Sequence, residues 1–305
     1  MPDFKFTSLC TATHTPFHPD GSLNLGAVER QASFLRSHGI TSVFIGGTTG
    51  ESSSLTTAER AALNDRWAVV GPATGIEVIV HVGSNCLTEA AQLATHAQKN
   101  GAKAVSMIAP SYFKPRTLAD LVASCAMVAK AAPRLPFYYY DIPGMTGLSG
   151  FPVDEFLKAA SPVIPNLAGV KYSNPDLEAM RRAGALEGGR FDLPFGVDEH
   201  FLSALRAGAT AGVGSTYNFN PGPLLRTIAA HSKGDDALAE AEQAKVQPVV
   251  NILAKRGYMG AAKALMGHLG VPLGPARLPN GNPDAAEIKK MIGELEAIGF
   301  FSWNF

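Results

Sequence analysis

Short, wholly apolar runs alternate along the chain with longer stretches in which apolar positions recur every three or four residues. The short runs read as buried strands at Ser8–Thr13, Ser42–Gly46, Glu77–Val82, Ala104–Ile108, Phe137–Tyr140, Leu167–Lys171, Leu193–Gly196 and Gly212–Ser215, each followed by a helical stretch. Several helices carry their own boundary signals. Thr56 to Glu59 is a capping box, Thr88 and Glu89 open the next helix, Asn100 and Gly101 close it, and Asn174 with Pro175 reads as an N-cap and first helical position. Strands that alternate with helices run parallel and are joined by crossovers. Eight such units predict an α/β fold of the (β/α)₈ TIM barrel type rather than a doubly wound sheet of about five or six strands. Residues 1–233 make up the barrel in this reading. From 234 to 305 the strand signals stop, and an alanine-rich pattern broken at 257–260 and 271–279 predicts a C-terminal extension of about three helices packed on the barrel, in one structural unit.

Charge adds little to that picture. The 305 residues carry 26 Lys+Arg against 26 Asp+Glu, which gives no electrostatic ground for binding nucleic acid or an anionic membrane surface. A small ligand fits better. The opening Met1-Pro2-Asp3-Phe4-Lys5-Phe6 lacks the apolar core of a signal peptide, and no stretch approaches the roughly 20 apolar residues of a membrane helix, so a cytoplasmic protein is expected. Cys10, Cys86 and Cys125 are scattered, odd in number and without CxxC spacing, and are expected to be buried small hydrophobes. The eight histidines form no HxH or HExxH pattern, and no metal site is expected; His81, on a strand, reads as a satisfied core residue.

The candidate chemistry sits at strand ends, where barrels of this type build their sites. Lys171 closes the run Leu167-Ala168-Gly169-Val170. An amine desolvated there can be neutral and can attack a carbonyl, although a strand-end lysine can equally reach back to solvent. Gly46-Gly47-Thr48-Thr49-Gly50-Glu51 lacks the nucleotide-binding glycine spacings and reads either as an ordinary glycine turn or as an anion cradle of hydroxyl and amide donors. In Phe137-Tyr138-Tyr139-Tyr140-Asp141, alternation puts Tyr138 and Tyr140 on one side, as core aromatics or, for Tyr140 nearest the end, as a proton relay beside Lys171. Asp198 and Glu199 follow Gly196-Val197 and read as a metal site, a glycosidase acid, a helix-cap pair, or acceptors for sugar hydroxyls.

Taken together, Thr15-Pro16-Phe17, GGTTGE at 46–51, YDIP at 140–143, GVKYS at 169–173 and GSTYN at 214–218 resemble the pyruvate-dependent class I aldolases typified by dihydrodipicolinate synthase and N-acetylneuraminate lyase, over essentially the whole chain. The resemblance implies a Schiff base on Lys171, with no other cofactor. It also implies Thr48 and Thr49 on the substrate carboxylate and Tyr140 as the proton acceptor. Tyr112 resembles the tyrosine that members of the family contribute across a subunit interface, usually of a homotetramer. Within the family, Gly196-Val197-Asp198-Glu199 with Gly214-Ser215-Thr216-Tyr217-Asn218 is similar to the branch that cleaves N-acetylneuraminate to N-acetylmannosamine and pyruvate, with Ser173, Gly196, Asp198, Glu199 and Ser215 on the sugar. Cleavage or dehydration of another sugar-derived 2-oxo acid, such as 2-keto-3-deoxygluconate, is the alternative, along with a dihydrodipicolinate synthase-like condensation. Against the latter, Gly144-Met145-Thr146-Gly147 lacks the arginine that such synthases place after the strand-five proline. Asp141, where the family usually has asparagine or histidine, and Thr48, where some members have serine, depart from the family pattern.

Overall fold

Seven parallel strands line up in the computed structural model, which describes residues 4–303. The strands closely follow the apolar runs: β1 Leu9–Ala12, β2 Ser42–Ile45, β3 Glu77–His81, β4 Ala104–Ile108, β5 Phe137–Asp141, β6 Leu167–Tyr172 and β7 Gly212–Gly214.

 The seventh expected strand, Leu193–Gly196, is not a regular strand. Among the described residues it makes only single parallel bridges: Asp192 with Gly169, and Phe195 with both Tyr172 and Gly212. Pro194 has no N–H to give to a ladder, which is why the pairing is interrupted there. The bridges still tie the two ends of the strand order, β6-β5-β4-β3-β2-β1-β7, to one segment, so the sheet curls back on itself.

Alternation along the strands sorts their side chains into two layers. Cys10, Ala12, Phe44, Ile79, Tyr138, Tyr140 and Val213 meet inside the curled sheet. Their neighbours Val43, Ile45, Val78, Val80, Val105, Tyr139 and Val170 face outward and pack with the surrounding helices. Burial on both sides explains why the strands read as continuous apolar runs. The floor of the interior is polar but satisfied: Asp192 accepts from the Phe6 N–H at 2.8 Å and the Tyr138 hydroxyl at 2.9 Å, and also from the Thr210 hydroxyl. At Gly169 the backbone of Asp192 presses so close that a Cβ would overlap its carbonyl, so glycine is required for the β6 contact.

The helix boundaries agree with the sequence in some places and shift in others. Thr56 and Glu59 form the expected capping box before helix Thr57–Thr74. The next helix, Leu87–Lys99, starts one residue before Thr88 and has Cys86 as its N-cap, which leaves that cysteine exposed, whereas Cys10 and Cys125 are buried as expected. After β6 the N-cap is Asp176 rather than Asn174, because the Asp176 carboxylate accepts from the Ala179 N–H at 2.9 Å. Asn174 instead turns its side chain to Asp141.

From residue 234 onward the described residues hold four α-helices, Asp236–Gln243, Val246–Ala254, Tyr258–His268 and Ala285–Ala297, where about three were expected. The extra break falls at Ala244-Lys245, a joint without glycine or proline that periodicity does not signal. Val249, Leu253, Leu265, Met266 and Met291 share a cluster with Phe219, against which Phe34 also packs. No helix among the described residues is long and apolar enough to cross a membrane.

Candidate active site

Lys171 on β6 is paired in register with Tyr140 on β5, and parallel neighbours in register point to the same side. Both therefore enter the interior near the C-terminal ends of their strands. Lys171 is only 3% exposed, and its Nζ lies 3.5 Å from the centre of the Tyr140 ring and 5.4 Å from that of Phe44. The Tyr140 ring stands edge-on to Phe44 and to His81, with centroids 6.0 and 6.2 Å away. Lys171 has no ion pair among the described residues, so the amine is confined by aromatic faces without a counter-charge.

Its other walls are backbone and hydroxyl. A Cβ on Gly196 would lie 3.0 Å from Lys171 Nζ and would strike the Ser173 hydroxyl, so any side chain there would displace Ser173 and crowd the amine. Ser173 Oγ is buried without a hydrogen-bond partner. Asp198 is also buried, and its Oδ2 accepts from the Thr216 N–H at 2.8 Å and hydroxyl at 2.7 Å. Burial holds the Asp198 carboxyl above the usual carboxylate range, against the Thr216 donations and the charge of Lys171. It does the same to half-buried Glu199. Neither carboxylate caps its own short helix, Asp198–His200, so the cap reading of this pair is set aside. Ser215 shares a 2.8 Å hydrogen bond with the Tyr258 hydroxyl.

The GGTTGE loop follows β2. Gly46 is left-handed at φ 62° and its carbonyl meets His81 Nδ1 at 2.9 Å, while Ile108 N–H donates to His81 Nε2 at 3.3 Å. Burial first, and Arg60 second, push the His81 imidazole down to about 3, so it is a neutral brace for the loop, in agreement with its reading as a core residue. Thr49 is buried; Thr48 is half-buried and lines a cavity of about 290 Å³ with Ile142, Met145, Met259 and Asn280. The structure thus gathers Tyr140, Ser173 and Gly196 around the Lys171 amine, with the threonine loop at the end of β2 and Asp198 and Ser215 just after the Leu193–Gly196 segment and β7. Tyr112 stands apart, 79% exposed beside Phe113 at 86%.

Asp141 alternates to the opposite face from Tyr140 and accepts from Asn174 Nδ2 at 3.0 Å. Burial pushes its carboxyl up to about 6 despite that donation. The folded protein therefore keeps this proton to higher pH than the unfolded chain, and the group loses stabilising effect as pH rises from 3.8 to about 6. Asp141→Asn, which preserves an acceptor for Asn174, is expected to add about 1–3 kcal/mol at pH 7 and nothing below the ordinary carboxylate range. Urea denaturation at both pH values checks this, and equal stability at pH 7 would contradict it.

Sequence reasoning missed Tyr258, whose hydroxyl reaches Ser215, and Met259 and Asn280, which line the cavity with Thr48. The one signal was the glycine-flanked break at 257–260, which marks a chain reversal but not its destination.

The curled parallel sheet with a lysine amine buried at its C-terminal end defines a class of α/β proteins, and comparison with known proteins places the chain within it. The pattern of the dihydrodipicolinate synthetase family matches residues 5–298, and the chain belongs to that family. It is 38% identical over 301 residues to the N-acetylneuraminate lyase of Gallus gallus, covering 97% of each chain. The solved structure of the Proteus mirabilis N-acetylneuraminate lyase superposes with a TM-score of 0.93 at 35% identity, over 97% of this chain and 100% of that one. That of the N-acetylneuraminate lyase (sialic acid aldolase) of Aliivibrio salmonicida gives 0.93 at 34%, over 97% and 98%.

Proposed function

We propose that the protein is a Schiff-base-forming aldolase that cleaves N-acetylneuraminate to N-acetylmannosamine and pyruvate. The observation that carries this reading is the Lys171 amine, buried, without an ion-pair partner among the described residues, and held on the Tyr140 ring at paired strand positions. The names of the relatives supply the substrate class.

In this reading Lys171 attacks the C2 ketone of the open-chain 2-oxo acid, and loss of water leaves a protonated Schiff base that draws electrons from the C3–C4 bond. Thr48 and Thr49 hold the C1 carboxylate with hydroxyl and amide donors. Tyr140 accepts the proton of the C4 hydroxyl, the C3–C4 bond breaks, and the sugar aldehyde departs from a pyruvate enamine. Protonation at C3 and attack by water then release pyruvate and restore the amine. Ser173, Gly196, Asp198, Glu199 and Ser215 bind the hydroxylated remainder of the sugar acid, the carboxylates accepting from its hydroxyls. The covalent bond to Lys171 takes the place of a cofactor.

Tyr112 completes the proton relay of a neighbouring copy in a homotetramer, a role that suits an exposed aromatic pair. The bridges at Asp192 and Phe195 support a closed (β/α)₈ barrel up to residue 233, and the cluster around Phe219 supports a segment from 234 packed on it as an extension in one unit. The enzyme of this reading acts in the cytoplasm. A steady-state assay of pyruvate release tests the reading: N-acetylneuraminate is expected to be turned over in preference to 2-keto-3-deoxygluconate. The reverse preference would transfer the site to another sugar-derived acid.

A further inference from the structure

Glu51 ends the GGTTGE loop in a left-handed backbone conformation, φ 56° and ψ 37°, that glycine adopts freely and other residues rarely do. Such a conformation persists where its surroundings hold it. Here the holders all come from the C-terminal segment. Glu51 Oε1 accepts from Lys263 Nζ at 3.0 Å, and Oε2 accepts from the Arg277 N–H at 2.8 Å and Asn280 Nδ2 at 3.3 Å. Both side chains of the ion pair are fully buried. Lys263 also donates to the Pro275 carbonyl at 2.8 Å and lies 4.1 Å over the Phe17 ring. Arg277 is fixed in turn by Glu59 and by the face of Phe17.

On the loop side, the Glu51 N–H donates to the Thr48 carbonyl at 3.0 Å, and the Ser52 N–H donates to that of Gly47 at 3.1 Å. The threonine turn is thus held at one end by β2 and His81 and at the other by Glu51. A buried charge pair is a costly way to gain stability, but its directional bonds are well suited to fixing one geometry.

We propose that the Glu51–Lys263 ion pair positions the carboxylate cradle, so that the C-terminal segment sets where Thr48 and Thr49 meet the substrate. Glu51 and Lys263 are positioning residues, since neither touches the reacting atoms. The inference rests on the aldolase reading above.

Three variants test it: Lys263→Met, Glu51→Gln, and the double variant, which leaves no buried charge unpaired and so keeps the test open if Lys263→Met fails to fold. Each is assayed for N-acetylneuraminate cleavage, with active sites counted by borohydride trapping of the pyruvate adduct. The expected result is a KM raised about tenfold or more, with kcat per trappable site within about threefold of the parent. A purely structural pair would instead lower the melting temperature and the number of active sites while leaving KM unchanged, and that outcome overturns the proposal. If the parent itself traps no pyruvate, the aldolase reading fails first; if it traps pyruvate and KM is unmoved in the variants, this inference alone fails.

Discussion

Lys171→Ala is expected to lose at least about 10⁴-fold in turnover and to gain no mass when treated with pyruvate and borohydride. The parent is expected to gain a single pyruvate adduct, which peptide mapping would locate at residue 171. The size of the effect follows from the surroundings of the amine. Lys171 is enclosed by the rings of Tyr140 and Phe44 and by the bare backbone of Gly196, and no other lysine among the described residues shares these contacts. Lys263, also buried, is committed to Glu51 and the Pro275 carbonyl. An adduct retained in Lys171→Ala would refute the mechanism outright.

Tyr140→Phe separates binding from bond cleavage. The ring that lies under the amine is kept and only the hydroxyl is removed, so the pyruvate adduct is expected to form almost as in the parent. Cleavage needs a proton acceptor for the sugar hydroxyl, and kcat is expected to fall by about 10²–10⁴-fold. Trapping and turnover are therefore measured on the same preparation. Equal losses in both would mean that the phenol serves the lysine's placement rather than proton transfer.

Much of the fold is legible because the strands are buried on two sides. Runs such as Val43-Phe44-Ile45 and Val78-Ile79-Val80 have no polar break to obscure them, and the alternation that separates Phe44 from Val43 also brings Tyr140 beside Lys171. Local chemistry is less legible where two signals compete. Asn174 and Asp176 can both cap a helix, and only the pull of Asp141 on Asn174 leaves the task to Asp176. Leu193–Gly196 has the composition of a strand, but Pro194 reduces it to bridges. Contacts across the chain leave no periodic trace at all. Glu51 and Lys263 are 212 residues apart, and Ser215 and Tyr258 are 43 apart. The proton held by Asp141 is equally hidden, since it depends on burial rather than on sequence neighbours.

The sealed floor of the sheet has a kinetic consequence. Below Tyr140 the interior is filled by Phe6, Cys10, Ile79, Tyr138 and Val213, and Asp192 stitches the base to Phe6, Tyr138 and Thr210. Traffic to and from the amine is thereby confined to the upper mouth. In the proposed mechanism, the water that hydrolyses the pyruvate adduct comes through the opening the sugar has just vacated. Product departure is then sequential, aldehyde first and pyruvate second, and added N-acetylmannosamine is expected to intercept the enamine and run the reaction backward.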